Sequence, residues 1–401
     1  MKVLFQSWTQ VQHSYGIVMC FILKHLQQNY KGKITIYIQE MPYFNPKWND
    51  SKKNIYNKEY NDILSNLQVY NGEQIDLVWS QTFPYDITST DIPKCVFYTS
   101  EFSKLDTSFF NISNVKMYDE TFIKEYLKVN DNVYFTSPSV WSSNGLKPYC
   151  ERDQIITHGV DTNIFYKHSD DLVRNKIRRK YNIDKNDILM INIGAMTGNK
   201  GIILILESLH NLVNKMRRSE YKLLLKGSGD LYTSQHFLES DMNRLQCTDE
   251  ELEKLKKHII FINDTLQFDR INDLYNASDI YISPYLCEGF NLTPLEALSS
   301  GLDVLVPQTG STKEYIQEIY NNGGNNYIHY VKSHIIETSM GFQNNINVND
   351  IINVLLNFKK ENGGYHQMIE YIQDKLSWNA VSHLVFNYIF KIVQLNNKKN
   401  E

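Results

Sequence analysis

The chain has 401 residues, of which 42% are hydrophobic and 21% charged, with a net charge of −4. That size predicts two domains with large cores, and that composition is ordinary for a globular protein. The charge excludes a general polyanion-binding role, so no nucleic-acid partner is expected, and no run of 18 apolar residues predicts a membrane span.

Cys20, Cys95, Cys150, Cys247 and Cys287 are scattered without C-x-x-C spacing, which argues against a zinc site and against a disulfide framework. The apolar start Met1–Trp8 is too short for a signal peptide, so a reducing, cytoplasmic location is expected.

In chain order, Val3–Phe5 reads as a first buried strand, followed by the loop Ser7–Ser14 and a helix from about Tyr15 to Gln28 with apolar residues at helical spacing. Ile34–Ile38, Asp76–Ser80, Lys94–Tyr98 and Val133–Thr136 read as further strands, and residues 41–62 as an irregular excursion. A charged helix over Val173–Lys180 leads into a second series of strands: Ile188–Ile193, Leu223–Leu225, Ile259–Ile262, Ile280–Ser283 and Val304–Val306. A last helix runs from about Trp378 to Leu395, and the tail Asn396–Glu401 is expected to fray. Strands alternating with helices predict α/β architecture, each half a parallel, doubly wound sheet.

The most informative stretch follows the strand at 280–283. Glu288 lies in the loop Glu288-Gly289-Phe290-Asn291-Leu292, and Glu296 lies eight positions on, in the first turns of a helix. A strand, a tight loop and a helix N-terminus place free backbone N–H groups and the helix dipole at one point, a ready anion site. With Glu288 accepting hydrogen bonds from sugar hydroxyls, Glu296 accepting them from a ribose and a diphosphate between them, the pattern reads as a nucleotide-sugar site.

Leu274-Tyr275-Asn276-Ala277-Ser278-Asp279 followed by Glu288–Gly301 resembles the donor signature of retaining family-4 glycosyltransferases, where the typical text is EGFGLPPLEAMACG. Ile155–Phe165 is similar to that family's segment closing the first domain. The resemblance implies the GT-B fold: two doubly wound Rossmann-like domains facing a cleft, residues 1–165 on the acceptor side and 166–377 on the donor side. The C-terminal helix, 378–401, would cross back to complete the first. It also implies transfer of a hexose with retention, from a UDP-glucose-like donor or next GDP-mannose, to a glycan, protein or small-molecule acceptor. No cofactor or metal is expected; Asp-x-Asp, the metal motif of the other main glycosyltransferase fold, is absent.

Residue by residue, Lys200 matches a lysine that clamps the donor phosphates, while the arginine expected nearby is Ala195. Lys226, before Gly227-Ser228-Gly229, is either its replacement or a solvated charge. Asp264 and Thr265 occupy the segment that reads the nucleobase in the family. Glu314 matches a turn glutamate, or is an acid favoured by a helix dipole.

In the first half, only Gly16 remains of a glycine-rich loop near the reaction centre. His13 contacts acceptor or diphosphate, or is a solvated loop residue. Tyr15 and Glu101 are acceptor candidates, Glu101 alternatively a cap, and Ser139 reads as a cap. His158 is assigned to packing or a hinge. Residues 1–150 contain 14 Lys and 14 Asp plus Glu, a balance that favours a soluble acceptor and leaves peripheral membrane association open. A dinucleotide oxidoreductase would require a G-x-G-x-x-G loop that neither half contains. A non-catalytic scaffold or a nucleotide-sugar epimerase on the same fold remains the alternative.

Overall fold

The structure, a computed structural model, describes residues 1–9, 11–46, 48, 58–115, 117–360 and 363–400. It divides into two compact units: residues 1–159 with 375–401, and residues 160–374.

The first unit is built on a seven-stranded, wholly parallel sheet. Its order is Gln68–Val69, Thr35–Glu40, Lys2–Ser7, Leu77–Gln81, Lys94–Phe97, Val133–Ser137 and Asp153–Ile155. Val3, Phe5, Leu77, Cys95, Val133 and Phe135 are wholly buried, as strands covered on both faces require. The helix Ser14–Asn29 packs against the C-terminal helix Trp378–Asn400. Phe21 and Trp378 stack with centroids 5.4 Å apart and planes 2° from parallel, and Tyr388 Oη donates to Phe135 O at 2.9 Å.

Two expectations fail here. A helix, Lys58–Ser65, begins inside the stretch expected to be irregular, because Tyr60 buries its ring on Phe21 at 5.0 Å under the Lys24 ammonium. Residues 47 and 49–57 of that stretch lie outside the described residues. The tail does not fray before Asn400: the helix continues to it, and Lys399 Nζ reaches Asp131 at 2.6 Å. Glu401 is outside the described residues.

The second unit has a six-stranded parallel sheet ordered Ile259–Ile262, Tyr221–Lys226, Ile188–Ile193, Ile280–Ile282, Asp303–Pro307 and Ile328–Val331. An antiparallel hairpin, Ser333–Thr338 and Gly341–Ile346, follows the last strand. The junctions fall at 159/160 and 374/375, not at 165 and 377. Phe165 explains the first shift: it is buried against Phe268 and Tyr275, and its carbonyl accepts from Ser299 Oγ at 2.5 Å, all within the second unit. Among the described residues no helix is long and apolar enough to cross a membrane.

Candidate active site

Strand order in the second unit reverses between Ile188–Ile193 and Ile280–Ile282. Loops leaving the carboxyl ends of these neighbours diverge, and that is where open parallel sheets hold ligands. The first loop carries Lys200 and the second carries Glu288.

The loops are stitched together. Leu286 N–H donates to Asn199 O at 2.8 Å, Asn199 Nδ2 donates to Cys287 O at 3.3 Å, and Thr197 Oγ1 fixes Asn199 Oδ1 at 2.6 Å. Gly201 closes the first loop at φ +70°, and a Cβ there would stand 2.1 Å from Pro284 O. Only glycine permits both the left-handed turn and that approach. The result pairs the Lys200 ammonium with the Glu288 carboxylate, whose side chain is 8% exposed. Burying a carboxylate is costly unless it is paired, and Lys200 supplies the pair.

The second loop turns at Asn291, φ +68°, the place where the signature carries glycine. Asparagine is the side chain that best tolerates this region. Here it also holds the loop: Nδ2 donates to Ser283 Oγ at 3.0 Å and Oδ1 accepts from Thr293 Oγ1 at 3.2 Å. It therefore gives no side-chain cap to the helix Leu292–Ser299 that follows. The first-turn N–H groups of Leu292 and Thr293 keep their partial positive charge for a ligand.

Three buried tyrosines form the wall behind. Tyr281 Oη donates to Thr293 Oγ1 at 2.6 Å, Tyr285 Oη accepts from Thr312 N–H at 3.0 Å, and Tyr315 Oη donates to Asn291 O at 2.8 Å. Phe290 stacks on Tyr315 at 4.6 Å. Burial raises all three phenols, Tyr285 to about 12, so they act as neutral hydrogen-bonding groups at neutral pH. Sequence reasoning missed these tyrosines; their only signal was an aromatic run bracketing the motif.

Glu296 is half-buried on the helix, and Tyr275 Oη donates to its Oε2 at 3.0 Å. Desolvation pushes its carboxyl up to about 7, with the Tyr275 hydrogen bond pulling the other way. Gly289 is buried beside Glu288, and Leu292 is partly exposed at the helix start.

Lys226 corrects one of the two readings given to it. It is 3% exposed, so it is no solvated charge. Its ammonium donates to Gly227 O, and the carboxylates of Asp264 and Asp230 offset its burial, which lowers it to about 8. Gly227 is forced: a Cβ would lie 2.6 Å from Ser234 Cβ. Asp264 is exposed, and Thr265 Oγ1 donates to Asp230 Oδ2 at 2.9 Å. Ser228 Oγ and Asn263 Oδ1 at this turn are buried without a partner. Glu314 is exposed in the first turn of the helix Lys313–Asn321.

In the first unit, His13 is the N-cap of Ser14–Asn29, its Nδ1 accepting from Tyr15 N–H at 3.1 Å, with its ring among Trp8, Trp48 and Tyr15. Tyr15 is a core residue, 7% exposed, its hydroxyl against Tyr85 Oη at 3.1 Å and Thr99 Oγ1 at 3.3 Å, so an acceptor would not meet it. Gly16 lets that helix approach the preceding loop, since a Cβ would lie 2.6 Å from Val11 O. Glu101 is exposed and its carbonyl accepts from Trp141 Nε1 at 2.7 Å; the cap of the next turn is Asp106 instead. Ser139 caps Val140–Leu146. His158 packs between Phe97 and Trp378, and burial lowers it to about 3.

Residues 173–323, which carry every element of this crevice, match the family described as Glycosyl transferases group 1. The lipopolysaccharide core biosynthesis mannosyltransferase LpsB of Rhizobium meliloti is 24% identical over 225 residues, 51% of this chain and 59% of that protein. The glycogen synthase of Clostridium perfringens is 28% identical over 209 residues, 46% of this chain and 40% of that protein. The chain thus spans about half the length of these curated relatives. Anabaena Alr3699/HepE, solved with UDP and glucose, superposes with a TM-score of 0.61 at 12% identity, covering 97% of this chain and 99% of that one. Motif, sheet order and matched segment agree: the second unit carries a segment similar to the glycosyl transferases group 1 family, and the chain has a GT-B fold of two Rossmann-like units.

Proposed function

We propose that this chain transfers a hexosyl group from a nucleotide sugar to an acceptor hydroxyl, with retention of configuration and without a metal ion. The observation that carries the reading is the Lys200–Glu288 pair beside the uncapped start of Leu292–Ser299, with Glu296 one turn into that helix. The leaving diphosphate would take the Lys200 ammonium and the Leu292 and Thr293 N–H groups, fixed donors aimed where negative charge grows. Glu288, released from part of that pairing, would accept from sugar hydroxyls, and Glu296 from the ribose.

The donor we favour is UDP-glucose, then GDP-mannose. UDP and glucose bind the superposable Anabaena protein, and a mannosyltransferase is among the relatives. A glycan, protein or small-molecule acceptor fits the reading, and a cytoplasmic location suits a nucleotide-sugar donor. The test is turnover of UDP-glucose and GDP-mannose with and without EDTA, following the anomeric proton of the product by NMR. We expect one donor to be consumed equally in EDTA, its axial configuration kept. Equal inertness of every donor in the wild type and in Lys200→Ala would favour a non-catalytic scaffold.

A further inference from the structure

We propose that Asn344, on the hairpin beyond the matched segment, is a positioning residue that clamps the two loops of the donor site; this rests on the donor-site reading above. The hairpin Ser333–Thr338 and Gly341–Ile346 belongs to neither parallel sheet, and it is exposed toward its tip at Met340 and Phe342. Asn344, paired with Ile335 and two residues on from Phe342, is 1% exposed.

Its polar groups are divided between the loops. Backbone N–H donates to Leu286 O at 2.7 Å and Nδ2 to Tyr285 O at 3.1 Å, two and three residues before Glu288. Oδ1 accepts from Thr309 Oγ1 at 2.7 Å, in the loop leading to Thr312 and Tyr315. An amide oxygen can only accept, so Thr309 donates to Asn344 and accepts from Ser333 Oγ, 2.7 Å away on the paired strand. Gly310 leaves the room: a Cβ there would stand 2.8 Å from both Asn344 Nδ2 and Tyr285 Oη.

One residue therefore satisfies two loop carbonyls and one loop hydroxyl in a dry site, its side-chain amide taking one carbonyl and the hydroxyl, and an unmade hydrogen bond there is costly. Without it, the segment before Glu288 and the segment before Tyr315 are no longer fixed to each other. No short motif announces this residue, because the contact spans 59 positions of chain.

The experiment compares wild type with Asn344→Asp, near-isosteric but placing a carboxylate oxygen against Tyr285 O, and with Thr309→Val, which removes only the hydroxyl. Phe342→Ser, at an exposed position toward the hairpin tip, is the control. Amide hydrogen exchange is read over 285–291 and 309–312, and UDP and GDP affinity by calorimetry. We expect exchange in both segments to rise about tenfold in each loop variant, nucleotide affinity to fall about tenfold, and the rest of the unit and the control to be unchanged. Unchanged exchange in the two segments, or a rise spread evenly over the unit, overturns the clamp. A faster exchange confined to the loops in a protein that binds neither nucleotide keeps the clamp and removes the donor-site reading. If Asn344→Asp does not fold, Thr309→Val decides alone.

Discussion

Glu296→Gln should make the second unit more stable above neutral pH and leave it unchanged in acid. The carboxyl rises from 4.5 to about 7 because burial disfavours its charged form. For an acid raised on folding, the folded state holds the proton more tightly between those two values, so stability falls as pH climbs through them and the full penalty stands above the upper one. A shift of this size corresponds to about 3 kcal/mol, which partial exposure of the side chain reduces to about 1–2 kcal/mol. Glutamine keeps an oxygen to accept from Tyr275 Oη and carries no charge to desolvate. Denaturant unfolding at pH 5 and pH 8, followed by the near-ultraviolet signal of the second unit, measures it. The variant should gain about 1–2 kcal/mol at pH 8 and almost nothing at pH 5. A loss at pH 8, or an equal difference at both values, refutes the reasoning.

The remaining predictions concern loops and charge. Gly201→Ala, forced onto Pro284 O at φ +70°, should cost about 2–4 kcal/mol, while Gly198→Ala, with nothing within 4 Å, should cost under about 0.5 kcal/mol; paired thermal melts decide. Asn291→Gly keeps the left-handed turn and loses two side-chain bonds, so Asn291→Ala should be worse by about 1 kcal/mol in the same assay. Lys226 is lowered to about 8, so the cost of burying its charge is complete below that value and vanishes above about 10.5. Lys226→Met should therefore raise the melting temperature at pH 7 and lose that advantage by pH 10, and an advantage that persists at pH 10 would contradict the assignment.

Most of the parallel strands were legible because they are short apolar runs between turn residues, and Ile188–Ile193 and Ile259–Ile262 fall at the expected bounds, whereas the short polar Gln68–Val69 and Asp153–Ile155 went unread. Ile328–Val331 went unread because His329 and Tyr330 break its apolar run; His329 is held by Asp303 at 2.8 Å, a contact only the fold creates. The hairpin lacks the Asn-Gly turn that would announce it. Of Glu288, Glu296 and Lys200, the residues that spacing and context single out, the structure brings Lys200 to Glu288. Lys226 was left between two readings, since a strand-end lysine reads as solvated until the fold buries it. Tyr15 failed for the converse reason: one position past the loop, its side chain turns into the core on the first helical turn.

The most direct test of the central claim is calorimetric titration of UDP and GDP into the wild type, Lys200→Ala and Glu296→Ala at pH 8. One nucleotide should bind the wild type with a dissociation constant on the order of micromolar to millimolar. Each variant, where one charge-assisted contact is removed, should lose at least about tenfold. Binding of equal strength in all three proteins, or of neither nucleotide to the wild type, would contradict a donor site built on these two loops.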